Sequence, residues 1–124
     1  MSEPVLAEKQ KEPEAQTLYS KSCAMVDGDS GRLLYGKEAQ TALPNASTTK
    51  ILTAYIIIRN CDLDDKVTVS ADAIANMADS SKCGLAAGDV LTVRDLLYGL
   101  LLVSGNDAAN VLAEYYSGSI DKFA

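Results

Sequence analysis

From Ser47 to Arg59 the chain carries Ile51, Leu52, Ala54, Tyr55, Ile56, Ile57 and Ile58, which leave no side of a helix polar. A helix that is apolar all round has to be surrounded by other elements. The β-branched run would also suit a strand, but about thirteen residues is long for one. The segment therefore reads as a central buried helix that begins at Ser47, with the rest of the fold built around it.

The flanking sequence supplies pieces for that purpose. Tyr19 to Val26 and Arg32 to Gly36 are β-prone and bracket the turn residues Asp27-Gly28-Asp29-Ser30-Gly31, so a β-hairpin is expected. Val67-Thr68-Val69 reads as a short strand, Ser70 to Met77 as a short capped helix, and Asp79 to Asp89 as a loop. From Thr92 or Val93 to Val103, Leu96, Leu97, Leu100 and Leu101 recur at helical spacing. Ser104-Gly105-Asn106-Asp107 interrupts that pattern, and Ala108 to Tyr116 resumes it. Asp121 to Ala124 reads as the start of a further element. Residues 1–17 are polar, hold two of the three prolines and are read as a flexible leader, which leaves 18–124 as the folded part. The fold class expected is α/β in the loose, α+β sense: an antiparallel sheet against a helical cluster.

Composition narrows the chemistry. The chain has 124 residues, 48% of them apolar, enough for the core of one small domain. Its net charge of −6 argues against a nucleic-acid partner. Histidine is absent, which excludes a Ser-His-Asp triad and any histidine-ligated zinc. Cys23, Cys61 and Cys83 have no C-x-x-C spacing and read as small buried residues; the odd count leaves at least one unpaired within the chain. No apolar run reaches the roughly 18 residues of a membrane span. No signal peptide is visible, although Val5-Leu6-Ala7 faintly resembles a cleavage site.

A nucleophile can instead come from Ser47-Thr48-Thr49-Lys50, an S-x-x-K motif. Residues three apart on a helix are neighbours, so the Lys50 amine can reach the Ser47 hydroxyl. Lysine is a poor base at neutral pH unless burial disfavours its cation, and Lys50 opens an apolar helix, so it is expected to be largely buried. The alternative is that Ser47 merely caps the helix while Lys50 reaches out to water. Ser104-Gly105-Asn106 is a second candidate, whose Ser and Asn could hydrogen-bond a lysine and a substrate amide. Its alternative is a helix C-cap at Gly105 followed by an N-cap at Asn106 or Asp107.

Taken together, the two motifs resemble the penicillin-recognising serine acyltransferases, which carry S-x-x-K, then S-x-N, then K-T-G. Leu34-Tyr35-Gly36-Lys37, Pro44 to Ala54, Asp95 to Leu101 and Val103 to Ala109 resemble blocks of the low-molecular-mass D-alanyl-D-alanine carboxypeptidases, and the likeness runs from about Tyr19 to Ala124. Gly105, where class A β-lactamases usually have Asp, favours that branch. The resemblance implies that Ser47 attacks the carbonyl between two D-alanines of the peptidoglycan stem peptide and that Lys50 takes its proton. It implies that Ser104 helps relay the proton to the leaving D-alanine and that Asn106 orients Lys50 and the substrate amide. The Ser47 N–H would be one oxyanion donor. The same serine would be acylated by β-lactams, no metal or other cofactor is implied, and the site of action is extracytoplasmic. No K-T-G occurs in the sequence, so the chain is expected to be the N-terminal part of such a domain. Association with the C-terminal half or with a second copy is then expected. A β-lactamase of the same superfamily and a non-catalytic peptidoglycan-binding or partner-binding module are the competing readings.

Overall fold

A computed structural model of the chain describes residues 18–77 and 80–124; the expected leader, 1–17, lies outside them. The chain forms two compact units that divide between Pro44 and Asn45.

The first unit contains the expected hairpin, β1 (Cys23–Val26) and β2 (Leu33–Lys37), paired antiparallel from Cys23 opposite Lys37 to Val26 opposite Leu33. Its turn is made locally. The Asp27 carboxylate accepts from the N–H and hydroxyl of Ser30 at 2.8 and 2.5 Å, and Gly31 supplies the left-handed φ of +68° that closes it. Lys37 ties down the approach to β1 by donating to the carbonyls of Leu18 and Ser20 at 2.9 and 2.6 Å.

In the second unit a short 3₁₀ turn (Ala46–Thr48) leads into α1 (Thr49–Asn60); β3 (Lys66–Thr68), β4 (Val90–Thr92), α2 (Val93–Leu102), α3 (Asn106–Ser117) and α4 (Ile120–Phe123) follow. β3 and β4 pair antiparallel, Val67 opposite Leu91. Thr92 and Asp95 form a reciprocal capping box at the start of α2. Past it, Leu96, Leu97 and Leu100 are buried together with Val93, whereas Leu101, the fourth leucine at helical spacing, is half exposed. α3 ends where Gly118 takes φ +81° and donates to the Glu114 carbonyl at 2.7 Å. The core joins these α2 residues to Ala54 and Ile57 of α1, Val67, Val69 and Ala73, and Ala108, Val111 and Leu112 of α3. Each fully buried aliphatic side chain contributes roughly 1.5–3 kcal/mol.

Two expectations are corrected. Ser70 accepts from the Ala73 N–H at 3.0 Å as a cap should, yet residues 71–76 make turns rather than a helix, and Asn76 takes a left-handed φ of +56°. α1, in turn, is buried on one side only. Lys50, Thr53, Ala54 and Ile57, at i, i+3, i+4 and i+7, form its inward stripe, whereas Ile51, Leu52, Tyr55 and Ile58 are each more than half exposed. The composition of a helix states which faces favour burial; which faces are buried depends on the elements present to cover them. Among the described residues no helix is long and apolar enough to cross a membrane.

Candidate active site

Lys50 occupies the first turn of the inward stripe of α1, so its side chain runs toward the junction between α2 and α3. There Nζ lies 3.2 Å from Ser47 Oγ, 3.2 Å from Ser104 Oγ and 2.6 Å from Asn106 Oδ1. An ammonium has three protons, and here each has an acceptor. Ser104 Oγ donates to Ser47 Oγ at 2.8 Å, which closes a ring of three polar groups. All four residues singled out in the sequence therefore meet at one point, although about 55 residues separate the two motifs. Ser47 is exposed, and Lys50, Ser104 and Asn106 are half-buried, so the serine hydroxyl sits at the mouth and the amine behind it. Lys50 is thus less buried than expected.

Neither motif follows its purely structural alternative. Ser47 lies in the 3₁₀ turn ahead of α1, whose first turn has no side-chain cap, and Lys50 turns inward. Gly105 is not the left-handed residue that ends α2. Ser104 takes that conformation, with φ +58°, and Gly105 is extended at φ −64°, ψ 119°. On the nucleophile side Ala46 holds φ +46°. A left-handed residue without glycine's freedom costs on the order of 1–3 kcal/mol and persists only where its surroundings enforce it. One such residue immediately precedes Ser47, and the other is Ser104 itself.

The second turn is fixed from behind. Gly105 N–H donates to the Gly99 carbonyl at 3.1 Å, and Asn106 N–H to the Ser81 carbonyl at 2.8 Å. The Asp107 carboxylate, 1% exposed, accepts from the N–H groups of Cys83 and Ala108 through Oδ1, both at 2.9 Å, and from Gly84 and Leu85 through Oδ2, at 2.9 and 3.1 Å. Burial acts to raise its pKa, but these four donors outweigh burial and hold the carboxyl below its ordinary 3.8. A Cβ on Gly105 would collide with the sulfur of Cys83 and lie 2.8 Å from Asp107 Oδ1; one on Gly99 would lie 2.6 Å from the same sulfur. Both glycines thus leave room for Cys83. Asp107 is the residue that sequence reasoning missed, having appeared there only as an alternative N-cap, a place that Gly105 takes.

Comparison with known proteins covers the same stretch. The family described as D-alanyl-D-alanine carboxypeptidase matches residues 8–124. D-alanyl-D-alanine carboxypeptidase DacB2 of Mycobacterium tuberculosis is 45% identical over 94 residues, covering 76% of this chain and 32% of that protein. DacF of Bacillus subtilis, with the same enzyme name, is 38% identical over 109 residues, covering 84% and 28%. Among solved structures, penicillin binding protein 5 from Haemophilus influenzae superposes with a TM-score of 0.75 at 33% identity, covering 83% of this chain and 32% of that one. The chain thus spans about a third of the length of the curated relatives it matches.

Proposed function

Since the chain belongs to the D-alanyl-D-alanine carboxypeptidase family, we propose that Ser47 is the nucleophile of a serine-type carboxypeptidase that removes the terminal D-alanine of peptidoglycan stem peptides. The observation that carries this reading is the convergence of Ser47, Ser104 and Asn106 on the Lys50 amine.

The chemistry follows from the distances. Lys50 in its free-base form accepts the Ser47 proton as Oγ bonds to the carbonyl carbon between the two D-alanines. The Ser47 N–H, in the turn before α1, is one donor to the developing oxyanion. The tetrahedral intermediate collapses as the C–N bond breaks. Ser104 passes its proton to the departing D-alanine nitrogen and is reprotonated from Lys50, 3.2 Å away. Water then attacks the ester, Lys50 accepts a proton from it, and the Ser47 hydroxyl is restored when the acyl group leaves. Asn106 Oδ1 holds Nζ in place, and its amide nitrogen is available to the substrate. A β-lactam carbonyl would be attacked by the same Oγ. This substrate places the enzyme outside the cytoplasm, and the site needs no metal or other cofactor.

The family's K-T-G strand, which supplies a basic group for the substrate carboxylate and a second oxyanion donor, has no counterpart in this sequence. Losing one oxyanion donor costs about 10²–10³ in rate, and losing the clamp removes positioning as well. These 124 residues alone are therefore expected to turn over little or no substrate. The exposed apolar face of α1 supports the reading that further chain packs against it. The test is D-alanine release from diacetyl-lysyl-D-Ala-D-Ala by the chain alone and together with the downstream part of the domain. Release that appears only with that part, and is lost in Ser47→Ala, supports the proposal. Restored release that survives Ser47→Ala overturns it.

A further inference from the structure

We infer that Asp107 is a positioning residue: its carboxylate anchors the Ser81–Leu85 loop behind the Ser104-Gly105-Asn106 turn, and the anchored loop holds Ser104 and Asn106 on Lys50. The importance of those two residues rests on the reading above; the anchoring itself does not.

Three observations converge. The turn carries a left-handed residue, Ser104, that its own backbone disfavours. The constraint that opposes this preference comes from the loop, whose Ser81 carbonyl accepts from Asn106 N–H and whose Cys83 sulfur packs against Gly99 and Gly105. The loop in turn is held by the Asp107 side chain, since the consecutive N–H groups of Cys83, Gly84 and Leu85 all point at its carboxylate. Among the described residues no cation takes part in this cluster; three loop amides and the N–H of Ala108, in the first turn of α3, balance the buried anion. Only a carboxylate fits. Its two oxygens each serve two donors, whereas an amide in the same place turns an NH₂ group toward N–H groups. Asp107 sits one residue past Asn106 and three past Ser104, so whatever fixes it fixes the turn.

Asp107→Asn keeps the size of the side chain and removes half of its acceptors. NMR of the 124-residue chain reads the result at the turn itself. The expected outcome is that the Ser104 Cα and Cβ resonances leave the values of a left-handed residue and the Asn106 side-chain amide shifts. Amide exchange at Cys83, Gly84, Leu85 and Gly105 should accelerate about tenfold or more, the scale of a lost hydrogen bond to a charged group. Leu112→Ala, a core change in α3 that leaves the Asp107 carboxylate and its four donors intact, should leave the Ser104 and Asn106 resonances in place. Ser104 and Asn106 resonances unchanged in folded Asp107→Asn would overturn the inference, whatever happens to the loop. If that variant does not fold, exchange in the unaltered chain decides. Gly105, bonded to Gly99 rather than to the loop, should open together with Cys83, Gly84 and Leu85; a Gly105 amide that stays protected while the loop opens would overturn the inference. A failed penicillin adduct at Ser47 would remove the nucleophile assignment and leave these resonances as they are, so the two failures are separable.

Discussion

The two turns that meet at Lys50 are built in opposite ways. The Ser104–Asp107 turn is anchored on buried groups: Gly105 and Asp107 are inaccessible, four N–H groups converge on one carboxylate, and the sulfur of Cys83, an exposed residue rather than the small buried one expected, fills the space that two glycines leave. The Ala46–Thr48 turn lies wholly at the surface and is held by short-range bonds, Thr48 N–H and Oγ1 to the Asn45 carbonyl at 3.1 and 2.5 Å. Yet both hold a strained residue. A rigid turn presents the groups that orient and relay, while the nucleophile stands on the side that substrate must approach. Precision on one side and access on the other are different requirements, and the chain meets them with different amounts of burial.

The comparison can be broken most directly at the residue that joins the turns. Lys50→Ala removes the amine from all three partners at once. Acylation of Ser47 by a penicillin, followed with the downstream part of the domain supplied, is expected to fall by about 10²–10⁴-fold, the range of a lost general base. A loss of less than tenfold would mean that some other group takes the proton.

Paired backbone substitutions sharpen the contrast. Gly105→Ala drives a methyl into Cys83 Sγ and the Asp107 carboxylate, and is expected to cost about 1–3 kcal/mol in denaturant unfolding. Ala46→Gly instead relieves a positive φ in an exposed turn, and is expected to be neutral or stabilising by up to about 1 kcal/mol. Equal costs for the two would erase the distinction drawn between the turns.

A smaller effect appears in acid. Because the Asp107 carboxyl titrates below its ordinary 3.8 in the folded chain, its contribution to stability is complete above the unfolded value of about 3.9 and is lost as pH falls through the lower, folded value. The thermal midpoint measured from pH 7 to 2 should therefore drop more steeply below about pH 4 than it does in Asp107→Asn. Identical acid limbs would show that the four N–H bonds do not favour the anion.

Much of this arrangement is legible in the sequence, for identifiable reasons. Most of the stripe of α2 is a local pattern, and both motifs are short words whose chemistry follows from their spacing. The three-residue strand β4 is too short to carry a period, and its Val90 and Leu91 fall between the expected loop and the expected helix. Ser70 to Met77 has a cap and apolar residues but ends in turns, because Asn76 adopts a left-handed conformation that its neighbours do not announce. The uniform apolarity of α1 predicts complete burial, whereas Ile51, Leu52, Tyr55 and Ile58 are each more than half exposed. Asp107 was hidden for a different reason. Three of its four partners are backbone N–H groups 22 to 24 residues away, and every residue type but proline offers the same donor, so nothing in the sequence marks the contact.

The most direct test is a mass measurement. Benzylpenicillin added to the chain, with the downstream part of the domain supplied, should give one covalent adduct, mapped by peptide fragmentation to Ser47, absent in Ser47→Ala and formed much more slowly in Lys50→Ala. An adduct on any other residue, or one that persists in Ser47→Ala, would contradict the assignment of Ser47 as the nucleophile that Lys50, Ser104 and Asn106 surround.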